Sequence, residues 1–484
     1  MKIAIIGSGF AGLCMAIKLK SAGFEDFVIY EKAGELGGTW RDNTYPGCAC
    51  DVMSHLYSFS FYPNPDWSRN FSGQAEIWAY MKDCAEAFQV PQHIKFNSPV
   101  TEARYDEAWG VWKITTAGGE TDFAHILVAG AGGLSLPGFP EIEGLRSFAG
   151  AAFHSAEWDH AFDLYGKKVA VIGTGASAIQ IVPNIAGKVA QLYLFQRTPP
   201  WVLPKREKIF SEFEKKLFRS FPFLMKLYRA GIYWRNEFFA TGLTQFPWLI
   251  QPVEGLAKRF IRHHVHDPAL QEKLIPDYRL GCKRVLLSND YYPSLNRENV
   301  HVKTKGISRI SRSSIIDGAG EEVQLDAIIY ATGFRATEYL SNIRIAGRGG
   351  HLLKEVWERE GEAFLGTAVS GFPNLFTLTG PNTGLGHNSV IHMIESQVAY
   401  IMDCLKKIRA GNLKSVEVKK EVQTEFNAQI QKKIARTVWQ TGGCKSWYQD
   451  PKTGKNITLW PGYTFSFRLK TRRFDLAHYE VEQG

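Results

Sequence analysis

Two glycine-rich loops constrain the fold of this chain more than any other feature. Residues 7–12 read GSGFAG and residues 173–178 read GTGASA. Each follows a short, mostly apolar run, Lys2–Ile6 and Lys168–Ile172. Such runs predict buried parallel strands, because a parallel sheet is covered on both faces. A helix-like stretch, Leu13–Ala22, follows the first loop, and the next strands are expected at Phe27–Glu31 and Leu192–Gln196. Twenty-four residues after the first glycine stands Glu31 in one unit and Arg197 in the other. This layout holds an adenosine dinucleotide. Gly7, Gly9 and Gly12 let backbone N–H groups approach a pyrophosphate at a helix N-terminus, and the acid accepts from ribose hydroxyls. In the second unit Gly173, Gly175 and Ser177 form the loop, and Ala178 stands where the third glycine would be. Arg197 can fork onto a 2′-phosphate, and Thr198 can add a hydroxyl. The expectation is FAD at the first site and NADPH at the second.

Between the loops lie Phe148, Gly150, His154, Trp158 and Asp159, spaced F-x-G-x-x-x-H-x-x-x-W-D. A segment joining two nucleotide units must cross between them and can sense whether the second nucleotide is bound. A histidine there can hydrogen-bond from either ring nitrogen, and a tryptophan can pack while donating one N–H. In this pattern and position the sequence resembles the flavin-dependent Baeyer–Villiger monooxygenases of type I, which use FAD and NADPH. The resemblance runs from Lys2 to about Tyr479. It implies that the irregular stretch from Glu35 to Phe61 lines the flavin, with Gly38, Thr39, Trp40 and Tyr57 in its GGTW and YS motifs. It also implies that Asp51 pairs with a catalytic arginine, Arg284. Lys283 matches a position that helps hold the 2′-phosphate. Of the fingerprint residues, His154 joins Arg284 and Asp51 as a candidate catalytic residue, and Trp158 is a candidate cofactor-binding residue. On their own, a Lys-Arg pair reads as a solvated face and Asp51 as a turn or cap residue.

At 484 residues the chain is too long for one ordinary core. The fold class expected is α/β, with two Rossmann-like dinucleotide-binding domains and a helical insertion in the second. DAIIYATGF, Asp326–Phe334, reads as a strand running into a motif where similar chains return to the first domain. Residues 1–145 and 328–484 would form a discontinuous FAD domain and 146–327 the NADP domain. The stretch from about 207 to 275 is helical, basic and aromatic. It reads as an inserted subdomain over a substrate cleft, with a membrane-surface helix as the alternative.

The formal net charge is +9, but no basic run with interleaved aromatics forms a nucleic-acid module. A phosphate-rich dinucleotide is the more economical partner. Seven cysteines are scattered without metal spacing, so neither a metal site nor a disulfide framework is expected. With the first strand beginning at Lys2 and no apolar run of spanning length, a cytoplasmic protein is expected, with no integral membrane segment, as a monomer or small homo-oligomer.

The resemblance implies a reaction in which NADPH reduces FAD and the reduced flavin combines with dioxygen. The resulting flavin peroxide would insert an oxygen atom next to a ketone carbonyl, giving an ester or lactone. A fixed guanidinium favours the peroxide anion, since it cannot act as an acid at working pH. The alternative is oxidation of sulfur or nitrogen in small molecules, since relatives share both nucleotide loops. A nucleotide-binding redox sensor without turnover is a third reading, opposed by the intact Asp51 and Arg284.

Overall fold

The computed structural model describes every residue except Glu360 and Pro451. Its first sheet has five parallel strands in the order Leu375–Thr377, Ile126–Ala129, Ile3–Ile6, Phe27–Tyr30 and Ile94–Lys95. All four residues of Ile3–Ile6 and of Ile126–Ala129 are buried. That is why these strands read as unbroken apolar runs rather than as alternating ones. The helices Phe10–Ser21 and Val390–Gly411 pack against each other on this sheet. One edge strand follows residue 374 and the other four precede residue 130, so the sheet is built from both ends of the chain. A smaller antiparallel meander, Val100–Asp106, Val111–Thr116 and Thr121–Ala124, takes Arg344–Ala346 as a parallel neighbour.

The second sheet is also parallel and five-stranded, in the order Val300–Lys303, Gln191–Phe195, Lys168–Ile172, Ala327–Tyr330 and Ala151–His154. The fingerprint segment is therefore more than a crossing between units. Its Ala151–His154 portion is the edge strand of this sheet, with His154 opposite Tyr330. The strand Ala327–Tyr330 is wholly buried and presents an unpaired edge that Ala151–His154 satisfies.

The stretch near 207–275 folds into helices Glu212–Ser220, Pro222–Thr244, Gln251–His264 and Pro268–Leu274, with a short 3₁₀ segment at Pro247–Ile250. The sequence marks their starts. Ser211 and Glu214 form a reciprocal capping box, Pro222 occupies the first turn of the long helix, and Asp267 caps the last helix.

Some boundaries differ from expectation. The first helix begins at Phe10 rather than Leu13, because it starts inside the glycine loop. The helix after Ser389 continues to Gly411, beyond Cys404, and stops where Asn412 adopts a left-handed conformation. The larger difference is covalent. Cys282 and Cys444 form a disulfide across 162 residues, contrary to the expectation of unpaired thiols. Their spacing carried no sign of this, since the pairing is made by tertiary packing. The other five cysteines are free.

Candidate active site between the two dinucleotide units

In the first loop Gly7 has φ +91°, and a Cβ on Gly12 would lie 1.9 Å from the Gly7 carbonyl oxygen. Only glycine lets the helix start that close to the strand. Gly9 and Gly38 face each other, and Gly38 has φ +52°. The second loop is looser. Its helix begins at Ala178, five residues after Gly173, whereas the first begins three after Gly7. Ala178 carries a Cβ and is fully buried, so the close approach made by Gly12 is not available to it. Gly175 faces open space, leaving room beside the backbone for a pyrophosphate. Ser177 precedes the first helical residue.

Glu31 is buried at the end of its strand. Its Oε2 accepts from the Ser8 N–H at 2.9 Å and the Ser8 hydroxyl at 2.6 Å. Its Oε1 accepts from the Ala33 N–H at 3.0 Å and Arg41 at 2.8 Å. Burial pushes this carboxyl upward, but the Ser8 and Arg41 hydrogen bonds outweigh it and hold it below its ordinary range. These contacts use the lone pairs a ribose would need, and the Ser8 hydroxyl is the partner that can rotate away. Thr39 opens the short helical turn Thr39–Asp42, and its carbonyl accepts from the Asn43 side chain at 2.9 Å. The Trp40 indole donates to the Tyr57 hydroxyl at 3.0 Å, and Phe10 packs edge-on against Tyr57 at 5.4 Å. These rings form an aromatic wall beside the first loop.

In the second unit Arg197, Thr198 and Lys283 come together although 85 residues separate the last two. The Lys283 ammonium donates to the Thr198 hydroxyl at 2.8 Å. Burial and the neighbouring Arg197 charge push the Lys283 pKa down, which marks a cationic pocket in want of an anion. Arg197 itself is exposed.

The strongest contact in the site joins residues 233 positions apart. Arg284 donates from Nε and Nη2 to the two oxygens of Asp51, both at 2.6 Å, as a bidentate pair. Burial alone would raise the Asp51 pKa, but the Arg284 charge and its hydrogen bonds bring it below the ordinary carboxylate value. The Asp51 charge in turn pushes the Arg284 pKa further up. Both side chains keep some exposure, 31% for Arg284 and 26% for Asp51, so the pair is partly open to solvent. The Leu385 carbonyl lies 3.5 Å from Arg284 Nη1. A cleft of ≈680 Å³ lies nearby, lined by Gly47–Ala49, Gln180, Lys205 and Leu287–Asp290 among others.

His154 stands elsewhere. It is fully buried, and its Nδ1 accepts from the Ala156 N–H at 3.1 Å, so the ring proton sits on Nε2. Burial pushes its pKa down, with the Gly333 backbone opposing. Phe139 and Phe334 flank its ring at 5.4 and 5.8 Å. Those two residues lie where the chain leaves the first unit and where it returns. Trp158 packs edge-on against Phe153 at 5.1 Å, inside the second unit's core. The fingerprint thus reaches the two crossings between the units.

Sequence reasoning missed several partners. Ser8 lies within the first glycine motif and Arg41 directly after Trp40, so both were within reach of motif reading. Gln180 clasps the flavin-side loop: its amide donates to the Ala49 carbonyl at 3.0 Å, and its carbonyl accepts from the Tyr45 hydroxyl at 3.0 Å. Tyr448 is buried beside the Arg284–Asp51 pair, and burial pushes its phenol up to about 12. Neither residue type announces such a role in a linear sequence.

A family model described as flavin-binding monooxygenase-like matches residues 1–346. A Baeyer-Villiger monooxygenase of Pseudomonas aeruginosa is 49% identical over 480 residues, covering 99% of this chain and 91% of that protein. A Baeyer-Villiger monooxygenase of Streptomyces coelicolor is 47% identical over 482 residues, covering 99% and 92%. The crystal structure of OTEMO in complex with FAD and NADP superposes with a TM-score of 0.90 at 28% identity, covering 99% of each chain. With the paired glycine loops and the Arg284–Asp51 pair already placed, these likenesses are of one kind: the chain belongs to the flavin-binding monooxygenase-like family, on its Baeyer–Villiger monooxygenase branch.

Proposed function

We propose that this protein is an NADPH-dependent, FAD-containing monooxygenase that uses dioxygen to insert an oxygen atom next to a ketone carbonyl, giving an ester or lactone. The observation that carries the reading is the bidentate Arg284–Asp51 pair, which draws a second-unit arginine against the flavin-side loop. Bound FAD supplies the electron-transfer and dioxygen-activating chemistry, with NADPH as the hydride source.

The residues present fit both groups. The Gly7–Gly12 loop, Glu31 and the Gly38–Trp40 turn with Tyr57 would hold FAD, in a domain made of residues 1–145 and the chain after the strand Ala327–Tyr330, which belongs to the second sheet and so moves the return from the expected 328 to after 330. The loop at Gly173, Gly175, Ser177 and Ala178 would take the NADPH pyrophosphate, in a domain that runs from residue 146 through the strand Ala327–Tyr330. Arg197, Lys283 and Thr198 would take its 2′-phosphate. An arginine remains charged at any working pH, so Arg284 favours negative charge on an adjacent oxygen and cannot quench it by giving up a proton. Asp51 fixes the guanidinium plane through two bonds. His154 and Trp158 tie the hinge to the second unit, where they position rather than react. The wall of Phe10, Trp40 and the half-buried Tyr57 would help keep water away from the first loop.

The test is incubation of the purified yellow protein with NADPH, air and a panel of ketones and sulfides, with products identified by mass spectrometry. Esters or lactones from ketones support the proposal. Sulfoxides alone, with ketones untouched, would place the protein with the sulfur- and nitrogen-oxidising relatives. NADPH consumption that no organic substrate stimulates would favour a sensor.

A further inference from the structure

The long helix Pro222–Thr244 has one face packed inward and one bare. Met225 and Ile232 are buried, and Ile232 sits in a cluster with Met53 and Leu56 of the 35–61 loop and with Phe71. Glu237 is buried too and accepts from the Asn388 amide at 2.6 Å and the Thr464 hydroxyl at 2.6 Å. On the other face stand Phe223, Leu227, Trp234 and Phe238, exposed by 57, 63, 59 and 80%. Their spacing of four, seven and four residues keeps them within one helical stripe. The stripe does not end with its helix. Phe465 lies 6.1 Å from Trp234, ring to ring, and Leu469, one turn further along the helix Thr464–Lys470, is 65% exposed. Phe246 and Trp248, just past the end of the long helix, are also exposed.

A bare apolar stripe of this size costs solubility and calls for an occupant. Its borders are cationic. Lys216, Lys226, Arg468 and Lys470 are exposed on the same or adjoining helices, and none has an acidic partner among the described residues. A twofold contact with a second copy would set these like charges against one another. No helix among the described residues is long and apolar enough to cross a membrane. Large aromatic and aliphatic side chains flanked by unpaired lysine and arginine are instead the make-up of a surface that lies in a lipid interface, with tryptophan at the headgroup level.

We propose that the stripe of Phe223, Leu227, Trp234, Phe238, Phe465 and Leu469 docks on the surface of an anionic phospholipid bilayer, its flanking lysines and arginines contacting the headgroups. The reading is independent of the reaction catalysed.

The experiment is flotation of the flavin-loaded, full-length protein with vesicles of phosphatidylcholine alone or mixed with phosphatidylglycerol. Co-flotation with the mixed vesicles, weakened by added salt and absent with phosphatidylcholine alone, is expected. The paired substitution Leu227→Ser with Phe238→Ser should weaken partitioning about a hundredfold, by the loss of two buried apolar side chains. Lys226→Glu with Lys470→Glu should weaken it and remove the salt dependence. Flavin content and melting temperature report whether each variant is folded, and the altered side chains are exposed. No co-flotation of the unmodified protein at low salt overturns the proposal. So does a concentration-dependent dimer in sedimentation that Leu227→Ser with Phe238→Ser abolishes, which would give the face to a second copy.

Discussion

Arg284 and Asp51 each hold the other ionised, and this fixes what the pair can do. Asp51 has a folded pKa below its ordinary 3.8. Its contribution to stability is therefore complete above that ordinary value and is lost only as the pH falls through the lower folded value. Near neutral pH neither partner titrates, so Arg284 acts as a constant charge. Flavin reduction needs only a well-placed nicotinamide, and in Arg284→Ala it should persist. Oxygen insertion should fall by about 10²–10³-fold, the usual loss for one preorganised charge-stabilising donor. Asp51→Ala should show a milder form, since its effect is on orientation. Stopped-flow reduction together with ester and hydrogen peroxide assays would check both, and a normal ester yield from Arg284→Ala would remove the arginine from the mechanism. Arg197 and Lys283 are proposed to act on the nucleotide instead. A charge-assisted bond to a 2′-phosphate contributes about 1.5–3 kcal/mol, or about tenfold to a hundredfold in affinity. Arg197→Ala and Lys283→Ala should each raise the KM for NADPH by about that factor and leave NADH use unchanged. Steady-state kinetics with both nucleotides would show it.

At the scale of elements, the strands and loops of the two units were legible because local physics specifies them. Unbroken apolar runs such as Ile126–Ala129 can only be covered on both faces, and glycines at 7 and 173 are needed where φ is positive. The edge strand Ala151–His154 was not legible, because its partner is 176 residues away and only two of its four residues are buried. That strand ends in His154, between Phe139 and Phe334 at the two crossings. His154→Ala should leave FAD bound while lowering ester formed per NADPH oxidised, a ratio read from paired product and nucleotide assays. An unchanged ratio would make the strand a plain connector. The Cys282–Cys444 bond was equally hidden, and it ties the segment just before Lys283 and Arg284 to the tail at Gly442–Cys444. The same two segments also meet where the Arg279 N–H donates to the Gly442 carbonyl at 2.9 Å. Alkylation of the unfolded, unreduced chain should therefore modify five cysteines, namely Cys14, Cys48, Cys50, Cys84 and Cys404. After reduction all seven should react. Seven in both cases, by mass spectrometry, would show the pair as thiols.

For the whole molecule the decisive feature is the seam where the flavin-side loop lies on the second unit's helix. The sequence marks 35–61 as irregular and aromatic, yet nothing in it says what the loop touches. Gly47 shows how tight the contact is. It has φ +81°, and a Cβ there would lie 2.2 Å from the Asn184 amide nitrogen and 3.0 Å from the Gln180 backbone carbonyl. The amide could swing aside, but the carbonyl belongs to the helix Ala178–Ile185 and moves only with it. A non-glycine residue at this φ also costs about 1–2 kcal/mol of backbone strain. Gly47→Ala should accordingly push the loop off the helix and loosen the Gln180 clasp on Tyr45 and Ala49. Asp51 follows four residues later, so its hold on Arg284 across the seam should loosen as well. The first glycine loop and Glu31 lie outside the disturbed region, which predicts a protein that stays yellow with its full complement of FAD. Its fault should appear only when both units must act together, as a raised KM for NADPH and hydrogen peroxide formed in place of ester. Gln180→Ala removes the clasp without the strain and should give the same defect in smaller degree. Loss of FAD from Gly47→Ala would mean that the disturbance spreads along the loop to the Gly38–Trp40 turn or Tyr57. Unchanged coupling in both variants would mean that the seam does not transmit between the units at all.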